Sequence, residues 1–348
     1  MPIEQWDPTA LPVRPGLYIN FKNAAIAQIT GGERGIVAMP LHTFSGKAVE
    51  DKFYTVEDEA QALELFGLDN IGPVKLILQG GAKQVLVYTV PSTPNAATYI
   101  TMREKFEAYD FNLFVWDIEP PADEDANIKT WIEQNIKEKK LFMYVTGGSA
   151  SEDIDPSLGD ARTTALSHDF IVNLTVGGSV GSKEYSSAEY APYIAGLIAG
   201  TPINRSITYL PVSLDDVNRR YRNSEVVNAL KKGSLVLIHD GEKVKIESAI
   251  TTSKMKIRSA RARIAIATDI EKTARDNYIG RINNDEDGQY ALISAIKVYL
   301  ETLEQNGVLT DIVVTLDPIR PSVGDQVFLS ISYRELDSME RIFLSITV

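Results

Sequence analysis

The sequence predicts an α/β protein: a central α/β layered sheet domain, an α+β C-terminal domain, and extended N- and C-terminal strand arms. Three observations predict it. From about residue 26 to 215, short apolar segments of strand length alternate with amphipathic helical segments, the pattern of a parallel sheet covered on both faces. Two helical patterns and three strand patterns then fill roughly the last hundred residues. At the end, Ile342, Leu344, Ile346 and Val348 alternate with Phe343, Ser345 and Thr347, the period-two mark of a half-buried strand.

Taken in order, residues 1–15 carry Pro2, Pro8, Pro12 and Pro15. Prolines at that density remove donors and favour extended backbone, so this is an arm. It leads into a short alternating strand at 16–21. GIVAMPL (35–41), QVLVYTV (84–90), FNLFVWDI (111–118), LFMYVTGG (141–148) and HDFIVNLTVGG (168–178) read as strands. Segments 56–66, 95–109, 125–140 and 186–200 read as helices between and after them. At 233–251, Asp240-Gly241 between two β-rich runs predicts a hairpin. Helices are expected at about 254–277 and 288–305, the second closed by Asn306-Gly307. Strands follow at 311–316, 326–333 and 340–348. The domains expected are an arm (1–25), an α/β domain ending in a hairpin (26–250), an α+β domain (251–339) and a strand arm (340–348).

Composition narrows the function classes. The chain has no cysteine, which excludes thiol catalysis, a disulfide framework and cysteine-ligated zinc. A net charge of −12 argues against direct binding to nucleic acid or to anionic lipid, both of which need a basic surface. The opening MPIEQWDPTALPV has neither a basic n-region nor an apolar h-region, so no signal peptide is expected. No apolar run approaches the length of a membrane span.

Four motifs invite chemistry. Gly177-Gly178-Ser179-Val180-Gly181 fits the G-x-S-x-G nucleophile elbow, and Asp215 or Asp216 with His239 completes a Ser, Asp, His order. Against this α/β serine hydrolase alternative, Lys183-Glu184-Tyr185 and two serines intervene where a helix should start, and His239 falls at a hairpin turn. The same loop fails as a P-loop: Ser182 stands where glycine is needed and Glu184 where a magnesium-binding hydroxyl is needed. Asn283-Asn284-Asp285-Glu286-Asp287-Gly288 opens like a calcium loop, but the closing glutamate position falls on Ser294. It reads as a turn whose acids suit a helix N-terminus. Lys254, Lys256, Arg258, Arg261 and Arg263 form a basic cluster, read either as a solvated helix face or as a contact for an acidic protein partner. No nucleophile, base and orienting group assemble into an active site, and no cofactor or metal is expected.

The extended segments at the two ends need strand partners, either within their own subunit, as in most proteins, or on a neighbour. An unpaired edge is a liability unless another chain completes it, and donating a strand to a neighbour's sheet is a known mode of recognition. When donor and acceptor surfaces differ, the contact is heterologous and can propagate as an open helix.

LPVRPGLYINF (11–21), GGERGIVAMPL (31–41), YIAGLIAGTPINRSITYLP (193–211), KKGSLVLIHDGEKVKIESAITT (231–252), TARDNYIGRINNDEDGQYALISAIKVYLETLEQNGVL (273–309) and DSMERIFLSITV (337–348) together resemble the tail sheath proteins of contractile bacteriophages and phage-tail-like bacteriocins, especially those of Gram-positive bacteria. The resemblance implies a structural subunit that polymerises helically around an inner tube and contracts to drive the tube through a target envelope. It implies as partners the chain itself, the inner tail tube protein, and baseplate and terminator proteins. It implies assembly in the cytoplasm of the producing bacterium, then residence in the tail of a released virion or bacteriocin particle. Carried over, the inter-subunit arms are Leu17, Tyr18, Ile19 and Phe21, and Ile342, Phe343, Leu344, Ile346 and Val348. Their acceptor is the C-terminal domain's sheet at Val327, Leu329 and Ile331, and Lys254, Lys256, Arg258, Arg261 and Arg263 are the candidate tube contact.

Overall fold

The structure, a computed structural model, describes residues 34–347. Among them the chain divides into two compact units. A larger body is made of the residues up to Thr268 together with Glu335 onward, and a smaller unit is made of Asp269–Arg334.

The body begins with β1 (Ile36–Leu41), β2 (Phe53–Val56), α1 (Glu59–Phe66), α2 (Gly72–Gly80) and β3 (Gln84–Thr89). There follow α3 (Ala96–Phe106), β4 (Leu113–Val115), α4 (Glu124–Lys137), β5 (Met143–Thr146), α5 (Ala150–Asp153), α6 (Pro156–Ala165) and β6 (Ile171–Asn173). Six of these strands form one sheet in the order β2-β3-β1-β4-β5-β6. β2 pairs antiparallel with β3, and the remaining neighbours are parallel.

Side chains alternate across the sheet, so a strand buried on both faces reads as a continuous apolar run. Val37, Met39, Val85, Val87, Val115 and Val145 point to one face, where they pack with Phe66 of α1 and Val74 and Ile77 of α2. Ala38, Leu86, Tyr88, Phe114 and Tyr144 point to the other, against Tyr99, Met102 and Phe106 of α3 and Ile128, Trp131 and Ile132 of α4.

Beyond β6 come β7 (Gly178–Val180), β8 (Lys183–Tyr185), α7 (Ser187–Gly200), β9 (Asp216–Val217), α8 (Asn223–Lys232), β10 (Leu237–His239) and β11 (Val244–Ile246). A capping box between Ser186 and Glu189 starts α7. Nearly all of α7 is buried, and it packs along α2 at backbone distance. A Cβ on Gly196 would lie 2.0 Å from the Ile77 carbonyl oxygen, and one on Gly200 would lie 2.2 Å from that of Gly81. Only glycine permits that approach. β10 and β11 form the hairpin expected around Asp240-Gly241, with Leu237 opposite Ile246.

Four helices, α2, α5, α6 and α8, escaped the sequence reading. α2 starts on Gly72-Pro73, which looks like a breaker, but proline is tolerated in a helix's first turn. α6 likewise opens on Pro156, capped by Asp155.

Helix α9 (Ile257–Asn277) starts in the body and continues past Thr268. The smaller unit contains α10 (Glu286–Gln305), β12 (Leu309–Leu316) and β13 (Leu329–Glu335, whose last residue belongs to the body). Asp285 caps α10 by accepting from the Gly288 N–H at 2.8 Å, so the calcium-like stretch is a helix start. Ala295, Ile296, Tyr299, Leu300 and Leu303 of α10 are buried with Val308, Leu309 and Val314. β12 and β13 form a two-stranded sheet, so each has an outer edge without a strand partner among the described residues.

The strand expected at 340–348 is absent: residues 340–347 have no strand partner among the described residues. A strand exists only against an edge that completes its hydrogen bonds. No helix of the described residues is long and apolar enough to cross a membrane.

Candidate assembly interface

The basic stretch around the start of α9 is mostly engaged within the chain, and its partners are acids of the C-terminal tail. Arg263 grips Glu335 with two donors, Nε at 2.5 Å and Nη2 at 3.4 Å. The Asp337 charge falls on the buried Arg258, where it opposes the downward push of burial on the guanidinium. Lys256 forms an ion pair with Glu340. Thus Glu335 and Glu340 pair with Arg263 and Lys256, the Asp337 charge acts on Arg258 between them, and the tail runs back along the basic stretch. Arg261 is used elsewhere: it donates to the Thr201 carbonyl at 2.6 Å, and burial, with help from Arg34, pulls it down to about 10. Lys254 stands apart from this pairing, exposed at a positive φ of 74°.

Glu340 sits in a built seat. Its Oε1 accepts from the Thr208 hydroxyl at 2.8 Å and the Ser338 hydroxyl at 3.0 Å, with Ser206 Oγ at 3.2 Å. Thr208 is itself oriented, because its hydroxyl oxygen accepts from the Ala249 N–H at 2.9 Å. Lys256 is held by a backbone bridge to Ile250. Burial pushes the Glu340 carboxyl up, but the hydrogen bonds from Lys256, Thr208 and Ser338 outweigh it and leave it below its ordinary value.

Past the seat the character changes abruptly. Phe343 is 90% exposed, and Ile342, Leu344 and Ile346 are exposed as well. Large apolar side chains in a run with no cover mark an interaction surface. Val348 and the N-terminal set Leu17, Tyr18, Ile19 and Phe21 lie outside the described residues. Of the acceptor set, Leu329 and Ile331 are in β13 and Val327 precedes it. Val327 and Ile331 are each more than a third exposed, and Leu329 is half-buried.

The hydrolase elbow is not formed. Ser179 is the middle residue of β7 in an antiparallel hairpin with β8, not the corner between a strand and a helix. Asp216 does lie opposite it on β9, but its carboxylate is held by Arg220 at 3.0 and 3.2 Å. His239 accepts the Gly241 N–H on Nδ1. No hydrogen bond joins Ser179 Oγ to either among the described residues.

Open α/β sheets bind ligands beyond the carboxyl ends of their strands. Here the polar groups at that edge bond one another. His42 after β1 meets Asp117 after β4 at 2.6 Å and Tyr99 at 3.2 Å. Asp125 accepts from Tyr144 and Thr146 at 2.6 and 2.8 Å. Asp153, pushed up to about 6 by burial, accepts from Ser187 and from the Gly177 N–H. These contacts join loops and helix ends to the sheet and leave the carboxylates committed.

The acids at 335, 337 and 340 were missed by reading the sequence. Their signal was a short acidic run just before an apolar alternating segment.

A parallel-sheet body, a small open-edged unit and an uncovered apolar tail describe a subunit built to join others. Comparison with known proteins places that subunit. Residues 93–252 match the phage tail sheath protein central domain, and residues 251–348 match the phage tail sheath C-terminal domain. The chain belongs to the phage tail sheath protein family. A tail sheath protein of Clostridium phage phiCD119 is 25% identical over 303 residues, 82% of this chain and 79% of its own length. The sheath tail protein of Desulfitobacterium hafniense superposes with a TM-score of 0.72 at 17% identity, over 92% of this chain and all of its own. The contracted helical sheath of the anti-feeding prophage gives 0.75 at 14% identity, over 97% and 99% of the two chains.

Proposed function

We propose that this chain is the repeating subunit of a contractile tail sheath. It polymerises helically around an inner tube, contracts to drive the tube through a cell envelope, and stays linked to its neighbours by exchange of terminal strands. The observation that carries the strand exchange is the tail at 341–347: strand-patterned, apolar, exposed, and unpaired among the described residues. In this reading the outer edge of β13, with Val327, Leu329 and Ile331, receives a strand from another copy. Residues 1–25 and 340–348 are the arms, 26–250 the sheath domain and 251–339 the inner domain. The anti-feeding prophage neighbours come from a helical sheath and from a baseplate, which supports self-assembly and a baseplate partner here. An inner tube protein and a terminator complete the set, assembled in the producing cell and carried in the tail of the released particle.

Contraction needs two lattice arrangements whose free energies differ, and no bond-breaking step. Lys254, exposed at the edge of the basic cluster, is the member most available to a tube surface. Lys256, Arg258, Arg261 and Arg263 belong to the same proposed contact.

Negative-stain electron microscopy across a concentration series, with and without the inner tube protein, tests the reading. Wild type is expected to form hollow striated tubes, and a chain lacking 342–348 to fold but stay dispersed. Normal tubes from the truncated chain would overturn strand exchange. Ser179→Ala is expected to change neither tubes nor stability beyond about 0.5 kcal/mol. Loss of an ester-hydrolysing activity in that variant would restore the enzyme alternative.

A further inference from the structure

We propose that the seat of Glu340 is a clamp that sets the reach of the C-terminal arm. The proposal rests on the strand-exchange reading. The seat holds the root of the tail on its own body, and only the residues beyond it cross to a second copy of this chain.

The division at Glu340 is sharp. Every acid of the 335–340 segment has a cation near it: Glu335 with Arg263, Asp337 with Arg258, Glu340 with Lys256. The Glu340 side chain is only 13% exposed and is also met by the Thr208 and Ser338 hydroxyls. After Arg341, the sequence IFLSITV has no charged residue that could bind this basic surface. One segment is therefore built to stay and the next to leave.

Reach follows from chain geometry. Residues 341–348, fully extended, span at most about 26–29 Å. Release of Glu340 frees the chain back to Asp337, beside Arg258, and at most to Glu335, which Arg263 holds, adding roughly 10 to 17 Å. A short tether keeps a donated strand at high effective concentration beside an acceptor within its span, and that concentration falls as the tether lengthens. Glu340 is thus a positioning residue: it makes no contact with the neighbour but decides which neighbour the arm can meet.

The chain has no native cysteine, so two introduced ones report distance cleanly. Spin labels on Lys254→Cys and Thr347→Cys give a distribution of separations in the unassembled protein by pulsed dipolar spectroscopy. Lys256→Glu and Glu340→Lys are each expected to broaden that distribution and move its upper edge outward by as much as about 17 Å. Combining the two reverses the charges and is expected to bring the distribution back toward that of the parent. An unchanged distribution in the single variants, or no recovery in the double, would overturn the clamp.

The same variants are then assembled with the inner tube protein. Tubes from the single variants that are irregular or absent, restored in the double, support control of reach. Tubes as regular as wild type from a variant with a lengthened distribution would overturn it. If wild type itself makes no tubes, the strand-exchange reading falls and reach control with it, whereas the clamp is judged separately on the distances.

Discussion

Lys256 and Glu340 stand 84 positions apart in sequence and form one ion pair, with side chains only 24% and 13% exposed. A surface pair of this kind contributes little, but this one has two oriented hydroxyls, Thr208 and Ser338, on the same carboxylate. Charge-assisted hydrogen bonds of that kind are worth about 1.5–3 kcal/mol each when a partner is removed. Together with the Arg263–Glu335 pair, it ties the tail to the body.

The first prediction is a pH dependence. The Glu340 carboxyl lies below its ordinary value of 4.5 in the folded protein. A group lowered by folding stabilises fully above its unfolded value, and the contribution is lost as pH falls through the folded one. Wild type should therefore be more stable than Glu340→Gln at pH 7, with the gap closing below about pH 4.5. Thermal unfolding of both proteins from pH 7 to 3 measures it; a gap that stays constant to pH 3 would contradict the assignment.

The second concerns the body. Because a Cβ on Gly196 meets the Ile77 carbonyl oxygen at 2.0 Å, Gly196→Ala must push α7 away from α2. Overpacking of this kind costs about 1–3 kcal/mol. A chemical denaturation midpoint equal to that of wild type would show that the two helices separate freely.

The third tests the arm's periodicity. If 342–348 pairs as a strand, Ile346 and Thr347 face opposite sides of the acceptor sheet. Ile346→Asp is then expected to abolish tube formation and Thr347→Asp to leave it largely intact, both proteins folding as monomers. Equal effects in microscopy would mean that the tail does not bind as a strand.

The α/β layering was legible because the strands of the parallel sheet are covered on both faces. Residues such as Val85, Leu86, Val87 and Tyr88 are apolar without interruption, and that pattern needs no knowledge of partners. The helices at 96–106 and 286–305 were legible from their periodicity, and the second also from its caps. Helices α2 and α6 were hidden by the prolines near their starts, since a proline can end one element or open another and only the residues after it distinguish the two.

The basic cluster shows the other limit. In the sequence, Lys254, Lys256, Arg258, Arg261 and Arg263 are five equivalent positive charges on one stretch. In the structure they become an exposed lysine, two pairs with Glu335 and Glu340, and two guanidiniums shielded from solvent by the fold. Nothing local distinguishes them, because the acids that sort them arrive more than seventy residues later. Likewise Ser179, Asp216 and His239 stand in a suggestive order, and only the pairing of β7 with β8 and β9 makes the serine part of a hairpin.

By itself the sequence determined the elements whose apolar pattern repeats with the period of a helix or a strand, the lack of thiol chemistry, and the apolar alternation of the last residues. Tertiary structure alone decided which charges are paired, where the tail is anchored and where it becomes exposed. The physical reason is range. Backbone propensity and side-chain periodicity act within a few residues and leave a trace in any window of sequence, whereas an ion pair or a strand partner is set by which distant segments the packed core brings within hydrogen-bonding distance.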